Sequence, residues 1–197
     1  MTSQPSTSRR QANKQDKLER ITVAAQTLFA TKGITDVTTS QIAREAGVAA
    51  GTLFLYAKTK GELLFLAQNA SYRQAHQEGV VAAKLVAEPI DALIDMLTPI
   101  VECNREHVEN GRTYLREVVF GSVFEQHRLE AIGLMAETEN QVVRILAGQG
   151  EVTPATVQAA KAVMAITFLT LSSPQNVDVP VPQLMQQMRA QFGSLSF

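Results

Sequence analysis

Residues 38–57 read TTSQIAREAGVAAGTLFLYA, and this stretch decides the fold. Thr38 followed by Gln41 is a capping-box pattern, in which a hydroxyl accepts from the third helical N–H and an amide reaches back to the cap. The helix that opens there runs to Gly47, a residue that takes the left-handed backbone of a tight turn without a Cβ penalty. A second short helix follows over about residues 50–57. Ala43 is small where the two helices cross, and Ile42, Val48, Leu53 and Tyr56 fall at the spacing that packs both onto a preceding helix. Such an arrangement leaves the second helix free to enter a DNA major groove.

Working outward, Leu18, Ile21, Ala25, Leu28 and Phe29 recur at helical spacing upstream, and Gly33 stops that helix. Downstream, Thr59 and Glu62 repeat the capping box ahead of Leu63, Leu64 and Leu66. Pro89 opens a segment with Ile90, Leu93, Ile94, Leu97 and Val101 on one stripe, and Pro99 inside it is a point of kinking. Leu115, Val118, Val119, Ser122 and Val123 form a second stripe; Ile132, Met135, Val142 and Leu146 form a third. Thr153-Pro154 is an N-cap with a first-turn proline. It begins a helix through Leu171 that is apolar nearly all round, with Lys161 as its one charge. Pro174, Pro180 and Pro182 mark a loop before a last helix carrying Leu184, Met185, Met188 and Phe192. With no strand pattern and no internal repeat, the expected fold class is all-α. Residues 1–14, rich in Ser, Thr, Gln and Arg, read as a flexible tail; 15–61 read as the helix-turn-helix domain and 62–197 as a second helical domain.

Composition narrows the function. At 45% apolar and 19% charged residues the chain is globular rather than disordered. Its net charge of −1 conceals a division. Residues 1–60 hold nine Lys or Arg against four acids, a net +5, and the rest carry −6. A basic segment joined to an acidic one suggests a polyanion binder with a separate second module. The lone cysteine, Cys103, forbids an intrachain disulfide and fits a reducing cytoplasm. The first fourteen residues have no signal-peptide character, and the apolar run Ala162–Leu171 is short of the roughly 20 residues of a membrane span. The expected location is cytoplasmic, without membrane attachment. Cys103 and His107 stand four apart, a spacing able to ligate a metal, but no further ligand is near in sequence, so no metal is expected. There is no phosphate loop and no nucleophile motif, so neither an enzyme nor a cofactor protein is expected.

The longer stretch Leu18–Leu64, LERITVAAQTLFATKGITDVTTSQIAREAGVAAGTLFLYAKTKGELL, resembles the DNA-binding domain of the tetracycline-repressor (TetR) family. The shared features are AA…LF, the Gly33 break, VTT, IA, AGV, GTL, then a tyrosine and a lysine. The resemblance implies a three-helix DNA-binding head, a helical ligand-binding and dimerisation body over 62–197, and a homodimeric, ligand-responsive repressor on a palindromic operator in double-stranded DNA. By the same resemblance Thr39, Gly51, Thr52, Tyr56 and Lys60 match positions that meet DNA, beside Thr38, Ala49 and Ala50. Arg44, on the exposed side of the first helix of the motif, reaches the backbone or a base edge. Two departures stand out. Relatives often have a serine and a basic residue where this chain has Ala49-Ala50, which removes a helix cap and side-chain donors. Ala57 replaces the aromatic that usually follows the tyrosine.

For the second domain, two uses of its apolar helices remain open. Residues 155–171 and the Leu/Met/Phe stripe of 184–192 either form the core or pair with their copies in a four-helix bundle, and the resemblance favours the second. Met96, Ile100, Cys103, Phe120, Phe124, Met135, Met164 and Phe168 suit a pocket for a small apolar or amphipathic effector, and equally an ordinary core.

Overall fold

The computed structural model describes residues 6–121 and 126–195. Among the described residues there are nine α-helices and no strand. Two compact units form, one up to Ala70 and one from Ser71 on, and the division falls within α4 (Lys60–Ala83).

The first unit begins with α1 (Ser6–Asp36), broken at Gly33, where φ is 76° and ψ 164°. Ile21, Ala25 and Phe29 of α1, Ile42 of α2 (Thr39–Glu45), Leu53 of α3 (Ala50–Leu53) and Leu63 of α4 are all buried. The sequence pattern is met here by 3.6-residue geometry. Residues 6–14 belong to α1, although the sequence shows no helical period there. Residues 9–17 are exposed throughout, so no apolar period marked them. Arg, Gln, Ala and Lys are nevertheless good helix formers, and lengthening an existing helix avoids the cost of a new nucleus.

The second unit holds the end of α4, α5 (Pro89–Arg105), α6 (Val108–Phe120), α7 (Gln126–Ala147), α8 (Pro154–Ser172) and α9 (Val181–Phe192), with a 3-10 turn at Pro174–Asn176. The α5 helix packs against α6, α7, α8 and α9, and its Leu93, Met96, Leu97 and Val101 are sealed from solvent. Glu88 caps it by accepting from the Asp91 N–H at 2.8 Å, and the helix continues through Pro99. Close approach of α4 and α5 depends on Gly79: a Cβ there would lie 2.1 Å from the Met96 carbonyl oxygen.

Three apolar faces differ from the sequence reading. On α7 the buried stripe is Ala131, Leu134, Thr138 and Val142, while Ile132 is exposed. The α7 helix has apolar residues on two sides, and contact with its neighbours selects one. On α9, Leu184, Met185, Met188 and Phe192 are buried within their own chain, because α9 lies on α5 and α8; this stripe is core and not free to pair with a copy. Finally, α8 has the length and composition of a membrane span, but Ala159, Ala160, Val163, Thr167, Thr170 and Leu171 are buried where it packs on α6, α7 and α9.

Candidate nucleic-acid interface

The geometry of α2 and α3 follows from local hydrogen bonds. The Thr38 hydroxyl accepts from the Gln41 N–H at 3.2 Å and the Gln41 Oε1 accepts from the Thr38 N–H at 2.8 Å, completing the capping box. At the other end of α2, the Val48 N–H donates to the Ala43 carbonyl at 2.9 Å and the Gly47 N–H to the Arg44 carbonyl at 3.1 Å. That pair is a Schellman motif, which requires a left-handed residue at its C′ position. Gly47 supplies it with φ of 63°. A Cβ at 47 would meet only the end of Arg20, at 3.5 Å, so the demand for glycine is conformational and not spatial.

The α3 helix starts at Ala49 with no side-chain cap bond, as the sequence departure implied. Leu53 and Ala57 are buried, Tyr56 and Thr52 are half-buried, and Ala49, Ala50 and Gly51 are exposed. Phe54 and Leu55 are also exposed, at 45% and 82%; sequence reasoning did not single them out. Both lie in the turn that follows Leu53, the last residue of α3.

The remaining candidates are placed as follows. Arg44 is exposed and Thr39 half-buried on α2. The Tyr56 hydroxyl donates to the Lys14 carbonyl at 3.3 Å, tying the end of the motif to α1. The Lys60 ammonium donates to the Thr35 carbonyl at 3.3 Å. At the start of α4 the Thr59 hydroxyl accepts from the Glu62 N–H at 3.0 Å, but the Glu62 carboxylate accepts from the Lys58 N–H at 2.7 Å. The first turn of α4 thus already holds an acid. A cleft of about 420 Å³ in the same unit is lined by Asp16, Glu19, Arg20, Val23, Ala24, Thr27, Glu45 and Ala46. Its three carboxylates to one cation repel phosphate.

In the second unit the apolar candidates differ widely in burial. Met96 and Ile100 are fully packed and Phe120 is 73% exposed, its ring centroid 6.3 Å from that of Phe168 in a T-shaped pair. Cys103, Met135, Met164 and Phe168 are half-buried, and Phe124 lies outside the described residues. Helix crossing consumes Met96, whose backbone abuts Gly79. Cys103 lines a cleft of about 260 Å³ with Ser71, Gln74, Ala75, Glu78, Pro99, Glu102 and Glu106. Burial, with Glu106 and Glu78, pushes its thiol pKa up to about 12. Nearby, the Tyr72 hydroxyl and the Thr138 hydroxyl share a buried hydrogen bond of 2.9 Å, and burial raises Tyr72 to about 12. Among the described residues no cluster of His, Cys, Asp or Glu is arranged to hold a metal.

Residues 21–67 match the model of the bacterial regulatory proteins of the tetR family. A comparison with curated proteins finds no match. Among solved structures, the chain is similar to Thermus thermophilus FadR, described as a TetR-family transcriptional repressor in complex with lauroyl-CoA. The two share 16% identity with a TM-score of 0.67, over 91% of this chain and 95% of that one. A TetR transcriptional regulator from Rhodococcus sp. RHA1 gives 20% identity and 0.67, over 93% and 97%. FadR from Bacillus subtilis, in complex with stearoyl-CoA, gives 17% and 0.65, over 91% and 99%.

Proposed function

We propose that this TetR-family regulator is a ligand-responsive repressor that acts as a cytoplasmic homodimer on a palindromic operator, without catalytic activity of its own. The observation that carries the reading is the helix-turn-helix itself: a capped α2, a Schellman turn at Gly47 and an exposed α3 face, in the segment with nine of the eighteen basic residues. The outward face of α3 enters the major groove. Lys60 and Arg44 contact phosphate, Tyr56 anchors the end of the motif, and Thr38 and Thr39 approach the backbone from the start of α2. Phosphate contacts set register and base contacts set sequence.

A dimer supplies the two half-sites. Its face is read from the apolar residues that the single chain leaves open: Leu129, Ile132, Gly133 and Ala136 on α7, and Ala165 and Leu169 on α8. Gly133 has nothing within 4 Å of a would-be Cβ, which leaves room for a partner helix to approach closely. Two such helices from each chain make a four-helix bundle.

The effector is a small apolar or amphipathic molecule held by the second unit. The two acyl-CoA complexes among the similar structures support this ligand class. Glu78, Glu102 and Glu106 beside Cys103 disfavour an anionic head group at that cleft. Binding shifts the equilibrium between dimer states by the ligand's differential affinity, typically ~1–3 kcal/mol.

Titration of duplex DNA at several salt concentrations tests the core of this reading. Lys60→Ala in a dimer removes about two phosphate contacts, so the log–log salt dependence flattens by roughly 2 and all sequences weaken alike. A protein that shows no salt-sensitive binding to any duplex is not a DNA-binding regulator.

A further inference from the structure

We propose that the turn closing α3 reads thymine methyl groups through Phe54 and Leu55, with Gly51 leaving room for the base edges to approach the helix. This deepens the regulator reading and rests on it. Phe54 and Leu55 follow fully buried Leu53, the last residue of α3, in a turn where the Leu55 N–H donates to the Thr52 carbonyl at 3.1 Å. From Ala49 to Leu55 the only side chain able to hydrogen-bond is Thr52, which is half-buried. Leu55 is 82% and Phe54 45% exposed, an apolar surface where a groove-reading helix usually offers amides, guanidiniums or hydroxyls.

Gly51 is the second observation. Its φ is not among the positive ones, and a Cβ there would meet nothing within 4 Å. Neither the backbone nor the packing of this chain calls for glycine, which is a worse helix former than alanine. The missing side chain leaves open space on the outside of α3. Charge identifies the occupant. The segment up to residue 60 carries +5, and exposed Arg44 and Lys58 stand on either side of this face in the sequence. A polyanion therefore comes here, and the one apolar group a polyanionic duplex presents in its major groove is the C5 methyl of thymine.

The test uses the full-length protein and the duplex it selects from a random pool, with deoxyuridine replacing thymine at one symmetric pair of positions at a time. Base pairing is kept and only two methyls are lost. At one or more pairs affinity should fall about fifteenfold, from roughly threefold to fivefold per buried methyl, with the salt slope unchanged. Leu55→Ala should weaken the thymine duplex to the same degree and become indifferent to the replacement at that pair. Gly51→Ala should fold at least as stably as the wild type yet bind the duplex more weakly. A selected duplex that tolerates deoxyuridine at every thymine overturns the inference and leaves the regulator reading intact. Full methyl discrimination in both Leu55→Ala and Phe54→Ala overturns it as well. Failure to select any duplex overturns the regulator reading itself.

Discussion

Replacing Gly47 isolates the turn that sets the direction of α3 from α2. At φ of 63° an L-residue costs roughly 1–2 kcal/mol. A new Cβ would otherwise sit in ordinary contact, 3.5 Å from the flexible end of Arg20, so no steric cost is added. Against this, alanine makes the unfolded chain less free and returns roughly 0.4–1 kcal/mol. Gly47→Ala should therefore lose about 0.8 kcal/mol net, the difference of the midpoints of those two ranges, and at most about 1.6 kcal/mol. Gly47→Asn should lose less, because its short polar side chain tolerates the left-handed region. Hydrogen exchange at Gly47 and Val48, whose N–H groups make the two Schellman bonds, reads the turn directly. The alanine variant should lose protection there by about fourfold, and at most about fifteenfold, the Boltzmann equivalents of those figures, and should bind DNA more weakly. The asparagine variant should fall between alanine and the wild type. Unchanged protection in Gly47→Ala, or an asparagine variant worse than alanine, would refute a conformational role for this glycine.

Three further outcomes are expected. Gly79→Ala places a Cβ 2.1 Å from the Met96 carbonyl oxygen, with further Met96 backbone atoms at 3.0 and 3.2 Å. Backbone cannot rotate away, so urea unfolding should show a loss of ~1–3 kcal/mol, the range for overpacking, despite the better helix former. Leu169→Glu changes a residue 65% exposed in the single chain; helix content should be retained while sedimentation shows a weakened dimer, and an unaltered dimer would remove α8 from the interface. Cys103, its thiol raised to about 12, should react with iodoacetamide at pH 8 at least roughly a hundredfold more slowly when folded than in urea, because thiolate is the reacting form. That native rate should still be climbing above pH 10, and a plateau near pH 9 would show the thiol to be unperturbed.

How much was legible in the sequence depends on the range of the interaction concerned. The Thr38–Gln41 capping box, the Gly47 turn, the missing cap at Ala49 and the Thr153–Thr156 box that starts α8 all join residues within five positions of one another. Their signals are printed consecutively in the chain, and so the helix-turn-helix could be read without any knowledge of the rest. The helical state of residues 6–14 was not legible, because an exposed helix has no apolar period and its stability is borrowed from the packed residues 18–32 that follow.

Tertiary structure decided which apolar residues are inside. Ile132 and Phe120 looked like core or pocket residues and are exposed, whereas the α9 stripe is sealed within its own chain. The same apolar pattern serves a core, a pocket or a subunit face equally well. The choice depends on which helix arrives opposite, as α9 does on α5 and α7 on α8, and that depends on contacts between residues tens of positions apart. The exposed pair Phe54 and Leu55 belongs to both levels. Their apolar character is printed in the chain, but only the burial of Leu53 and Ala57 on either side of them, in the turn that ends α3, left both side chains facing solvent.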